Sequence, residues 1–126
     1  MPLEQKMYPH KDAPFGAFCH AVRTDDWLFV SGLTARSDDV ASQDIVQQTD
    51  VVMSRLPGVL EAEGGTLADI IRITVYVTDL ERLMEIHEVR HRYFSDALPA
   101  STLVQVTALV QPELTVEIEA IARLGQ

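Results

Sequence analysis

Ile71-Arg72-Ile73-Thr74-Val75-Tyr76-Val77 alternates strictly, with β-branched apolar residues at the four odd positions and polar or mixed ones between. A period of two is that of a strand, so Ile71, Ile73, Val75 and Val77 are expected on one buried face, and Arg72, Thr74 and Tyr76 on the other. Downstream, Leu80, Leu83, Met84, Ile86, His87, Arg90 and Phe94 recur at helical spacing before Pro99, which predicts a helix of about 14 residues. Residues 102–109 and 114–122 then read as two strands, separated by a turn around Gln111-Pro112-Glu113. Upstream, residues 42–63 are mostly good helix formers, with Ser42 or Asp39 as candidate cap and Gly64 as the stop. Pro57-Gly58 interrupts that pattern, so a kink or two shorter helices are expected. Before it, residues 18–22 and 27–32 read as a hairpin turning at Thr24-Asp25-Asp26. The order β-β-α-β-α-β-β gives an α+β fold, a mixed sheet with two helices covering one face.

The 126 residues carry no repeat, low-complexity tract or linker, so one domain over residues 1–126 is expected, with any large binding site shared with another subunit. Ten Lys and Arg stand against 19 Asp and Glu, a net charge of −9 that repels a phosphate backbone, so nucleic acid is not an expected partner. No apolar stretch reaches the roughly 20 residues of a membrane helix, and the first twelve residues lack the hydrophobic run of a signal peptide. The expected location is therefore the cytoplasm, with no membrane partner. Cys19 is the only cysteine, which excludes an internal disulfide and a multi-thiolate metal site and is read as a buried structural thiol.

Few patterns carry chemistry. In the last strand Val116, Ile118, Ala120 and Ala122 share one face, and Thr115, Glu117, Glu119 and Ile121 the other. Two glutamates at i, i+2 repel unless water, a cation or a pocket separates them. The plain reading is the solvated face of an edge strand; the functional one makes a partly buried glutamate a general base. His87-Glu88-Val89-Arg90-His91 matches the zinc-protease spacing on a predicted helix. The same helix must bury Leu80, Leu83 and Phe94, so the match is read as coincidence and His87 as a pocket-lining or core histidine. His10 and His20 have no partner pattern. Ser31-Gly32 lacks a nucleophile elbow, and Gly64-Gly65 is followed by Thr66-Leu67 instead of the Lys-Ser/Thr of a phosphate loop, so neither a hydrolase triad nor a nucleotide cofactor is indicated.

Val30-Ser31-Gly32 after a hairpin, a long helix ending at Leu60-Glu61-Ala62-Glu63-Gly64, the segment from Ile73 to Asp79, Tyr93-Phe94, Pro99-Ala100 and the segment from Val116 to Ala122 together resemble the Rid family, also called YjgF or endoribonuclease L-PSP. The likeness runs from about Gly16 to Ala122. It implies a chorismate-mutase-like subunit that forms a homotrimer with pockets at the subunit interfaces. It also implies hydrolysis of small enamines and imines to 2-oxo acids and ammonia, without metal or cofactor.

By this resemblance Ser31 matches a pocket serine and Glu117 the water-orienting glutamate. Other positions depart from it. Ser101 stands where an arginine would grip the substrate carboxylate, Phe18 where a tyrosine would stand, and His87 in the place of an asparagine. Serine cannot replace a bidentate guanidinium. Either the substrate carries no carboxylate there, the reading favoured on sequence, or another cation such as His87, Arg36 or Arg90 takes it. Phe18 adds apolar surface, so a larger or less polar ligand is expected. The expected function is deamination of an enamine or imine other than the archetypal 2-imino acids. The alternatives are a trimer that binds or regulates through a small ligand without chemistry and, in conflict with the charge, a ribonuclease.

Overall fold

The computed structural model describes residues 2–40 and 43–125. Its strands are β1 (Glu4–Lys6), β2 (Ala21–Thr24), β3 (Trp27–Leu33), β4 (Ile70–Val77), β5 (Ala100–Gln105) and β6 (Val116–Arg123), and its helices α1 (Ile45–Ala62) and α2 (Leu83–Phe94). A single sheet runs β1-β2-β3-β6-β4-β5, antiparallel except for the parallel pair β4–β5, which α2 connects. Both helices cover one face. Val52, Met53, Leu56 and Leu60 of α1 and Ile86 and Val89 of α2 share one core with Leu28, Val30, Ile73, Val75, Ile118 and Ala120 of the sheet. The α+β class and its mixed sheet with two helices follow the sequence expectation, with β1, too short and too polar to show a pattern, added at the edge.

The hairpin turns at Asp25, whose φ of 54° an aspartate tolerates, but its first strand covers Ala21–Thr24, so Phe18 lies in the preceding loop. β5 begins and ends earlier than expected, and β6 starts at Val116. Of the two cap candidates for α1, Ser42 lies outside the described residues and Asp39 lies upstream of the helix. The cap is Asp44, which closes a capping box with Gln47. Pro57 does not divide the helix, because Met53, Leu56, Val59 and Leu60 on either side of it are all buried. In α2 the buried stripe is Ile86, Val89, Arg90 and Phe94, whereas Leu80 and Met84 are exposed.

Two bulges set the phase of the sheet. Ile70 opposes Ala122 while Arg72 opposes Ile121, so Ile71 is an extra residue; it is 42% exposed and Ile70 is buried in its place. On β3, Val30 opposes Ala120 and Leu33 opposes Ile118, so Ser31 and Gly32 together face the single residue Glu119. The start of β6 is anchored by the fully buried Gln48 of α1. Its amide donates to Glu113 O (2.8 Å) and accepts from Thr115 N–H (2.9 Å).

Candidate functional site

β6 is a central strand, between β3 and β4, so the edge-strand reading of its two glutamates is corrected. Val116, Ile118, Ala120 and Ala122 enter the core, which leaves Glu117 and Glu119 on the face that no helix covers. Tyr76 on β4 donates its hydroxyl to Glu119 Oε1 at 3.2 Å. Glu117, by contrast, is half-buried, and no described group donates a hydrogen bond to its carboxylate. Burial, and after it the charge of Glu119, pushes its pKa above the usual carboxylate value.

Gly32 makes this placement possible. A Cβ at residue 32 would lie 2.2 Å from Glu117 Oε2, so the carboxylate occupies the space a side chain would take. The adjoining Ser31 donates its hydroxyl to Cys19 O at 2.7 Å, which leaves the oxygen lone pairs as acceptors. Cys19 itself is half-buried, not buried, with Sγ 3.3 Å from Ala21 O.

Glu117, Ser31 and Gly32 line a cavity of about 610 Å³ together with Phe18, Phe15 and Val110. Three cations complete its wall: Lys11, Arg36 and Arg55. None has a carboxylate within ion-pair distance among the described residues. Arg36 Nη2 donates to Ala13 O (2.9 Å) with its guanidinium 5.6 Å from the centre of the Phe15 ring. Arg55 Nη1 donates to Thr34 O and Arg36 O, both at 2.7 Å, and Lys11 Nζ donates to Arg55 O at 2.5 Å. Burial and then the charge of Arg55 lower the Lys11 pKa. The loop carrying Phe15 and Phe18 is thus tied to α1 and to the end of β3. His20 fixes its base, accepting from Tyr8 N–H at Nδ1 and donating to Asp12 O from Nε2.

Of the seven residues singled out in sequence, Phe18, Ser31, Arg36 and Glu117 line this cavity. His87, Arg90 and Ser101 form a separate hydrogen-bonded group between α2 and the start of β5. His87 is exposed on α2 and is not a core residue. Lys11 and Arg55 were not found by sequence reasoning, since their roles depend on a loop meeting a helix more than 30 residues away, and His20 was left without a partner because Tyr8 and Asp12 reach it only through the fold of the loop. Among the described residues no three His, Cys, Asp or Glu side chains converge as metal ligands, and no helix is long and apolar enough to cross a membrane.

Residues 10–124 match the model of the endoribonuclease L-PSP family. The chain belongs to this family. It is 33% identical over 112 residues to a RutC family protein of Pyrococcus horikoshii, a match covering 86% of this chain and 88% of the relative. The crystal structure of a Mycobacterium tuberculosis member of the YjgF/YER057c/UK114 family is 39% identical, with a TM-score of 0.76 over 85% of this chain and 86% of that one. RidA from an Antarctic Psychrobacter is 27% identical, with a TM-score of 0.85 over 96% of this chain and all of the other (100%). Membership in the L-PSP family accounts for the strand–helix order.

Proposed function

We propose that this L-PSP family protein hydrolyses a small enamine or imine to a carbonyl compound and ammonia, in a pocket shared between copies of a homotrimer. Its substrate differs from small 2-imino acids. The observation that carries this reading is the half-buried Glu117 carboxylate, free of hydrogen-bond donors and facing a cavity beside Ser31. A carboxylate with a raised pKa is a better base for water, and imine hydrolysis needs little beyond a positioned base.

In the reaction, Glu117 takes a proton from water as its oxygen adds to the C=N carbon. The same proton passes to the nitrogen of the resulting carbinolamine. Glu117 then takes the hydroxyl proton of the carbinolamine and delivers it to the nitrogen as the C=O bond forms and ammonia leaves, and an enamine enters as its imine tautomer. Ser31, whose own hydrogen is committed to Cys19 O, accepts from the substrate N–H. Phe15, Phe18 and Val110 supply apolar wall for a larger substrate.

The separation of the seven residues into two groups supports a shared pocket, since a second copy supplies the means of bringing His87, Arg90 and Ser101 to the cavity of the first. The net charge of −9 speaks against RNA as substrate.

The test is ammonia release from freshly generated imines and enamines, comparing small 2-imino acids with larger ring-derived ones, with wild type beside Glu117→Gln. Acceleration that Glu117→Gln loses is the expected result. No acceleration on any of them would transfer the reading to a ligand-binding trimer, and sedimentation of the same samples reports the oligomer.

A further inference from the structure

Three of the ten lysines and arginines, Lys11, Arg36 and Arg55, meet at the wall of the cavity that holds Glu117, in a chain whose net charge is −9. Each is half-buried. Like charges gathered in one cavity repel, and after burial it is the charge of Arg55 that lowers the Lys11 pKa. Elsewhere in the chain acids relieve such charges: Arg23 pairs with Glu63, and Arg82 with Asp44 and Glu85. Here they do not. The two carboxylates on the cavity wall, Glu117 and the exposed Asp12, pair with none of the three cations. Glu61, whose charge Lys11 also feels, lies on α1 outside the wall and forms no ion pair with it.

Backbone carbonyls hold the three cations in place. Lys11 donates to Arg55 O, Arg36 to Ala13 O, and Arg55 to Thr34 O and Arg36 O. Among the described residues nothing takes Nε or Nη1 of Arg36, Nε or Nη2 of Arg55, or the other two ammonium protons of Lys11. The position of Lys11 is built into α1. A Cβ at Gly58 would lie 3.0 Å from Lys11 Nζ, so a residue that weakens a helix interior makes room for the ammonium.

We propose that Lys11, Arg36 and Arg55 bind the phosphate of a small phosphate monoester, whose organic body lies against Phe15, Phe18 and Val110. A phosphate monoester carries a charge of about −1.5 to −2 at neutral pH and three terminal oxygens, which suits three cations with spare donors better than the single charge and two oxygens of a carboxylate. A polynucleotide would lay its remaining phosphates over a surface of net charge −9, so the ligand is a small molecule. That this molecule is the substrate of Glu117 rests on the function proposed above; the phosphate site does not. On that reading the substrate class narrows to a phosphorylated enamine or imine.

Methyl phosphate, which has no C=N bond, is the probe, with acetate as its monoanionic counterpart, both at neutral pH and constant ionic strength. The full chain carries isotope-labelled arginine, and the Nε–H signals of Arg36 and Arg55, assigned with Arg36→Gln, are followed in the titration. Methyl phosphate is expected to shift both saturably, and acetate to bind at least about 10-fold more weakly. Lys11→Gln and Arg36→Gln should each weaken methyl phosphate about 10-fold. Arg123→Gln removes the same charge from beside Trp27, outside the cavity, and should leave the affinity within about twofold. Arg36 is tied only to a loop carbonyl, so its variant does not threaten folding. Equal affinity for acetate and methyl phosphate, no saturable shift in wild type, or the same loss in all three variants would overturn the site. Methyl phosphate binding without ammonia release from any imine removes the deaminase reading and leaves the phosphate site. Ammonia release without methyl phosphate binding does the reverse.

Discussion

The two faces of the sheet obey different physics. The helix-covered face is closed: Ile73, Val75, Val77, Val116 and Ile118 are fully buried against α1 and α2, and each side chain is there for the apolar area it removes from water. The opposite face has no helix over it and carries Glu117, Glu119, Tyr76 and the half-exposed Phe29. On that face a carboxylate is held partly desolvated beside another carboxylate, an arrangement that costs stability and, in the function proposed above, supplies the base. One strand, β6, serves both faces in alternation, so the core and the proposed base are separated by a single residue step.

Substitutions on adjacent residues of β6 and β3 should separate the two properties. Ile118→Ala removes a fully buried side chain and should destabilise the fold by roughly 2–5 kcal/mol, while turnover per folded molecule stays near wild type. Denaturant unfolding and active-site-normalised rates on one preparation check it. Gly32→Ala drives a methyl group into the Glu117 carboxylate and should lower turnover about 100-fold, roughly 3 kcal/mol in the barrier. Unchanged turnover would mean that the position of the carboxylate is unimportant.

The pH dependence is a smaller effect. With Glu117 as base, kcat/KM should fall about tenfold per pH unit on the acid limb, with its midpoint above that of a solvated glutamate. The linked effect on stability has the opposite direction. A folded carboxyl pKa raised above its unfolded value means that the native state holds the proton more tightly. Stability associated with Glu117 is therefore greatest at low pH and declines as pH rises through the folded pKa. Smallest of all, Ile71→Thr at the exposed β4 bulge should alter subunit stability by no more than about 0.5 kcal/mol, against several for Ile73→Ala two residues away.

Local periodicity made the closed face legible. Val116, Ile118, Ala120 and Ala122 alternate without error, and the core uses all four. Periodicity failed at Ile71, where a bulge inserts one residue and exchanges its place with Ile70; nothing within the segment itself signals that. The strand order was equally non-local, and for that reason a pair of central-strand glutamates resembled an edge. Ser31 and Glu117, singled out through family resemblance, both line the cavity, whereas Lys11 and Arg55 meet only because the loop before β2 folds onto α1. Arg90 was legible as a cation; that it is buried without an acid required three dimensions.

The most direct test places catalysis and stability of one variant side by side. Glu117→Gln keeps the size of the side chain and removes its basicity and charge. Ammonia release from imines and thermal unfolding at neutral pH are measured on the same samples. Turnover is expected to fall by about 100-fold or more while the melting temperature rises, since the repulsion with Glu119 and the desolvated charge are both gone. Turnover retained in Glu117→Gln would contradict the role of Glu117 as the base.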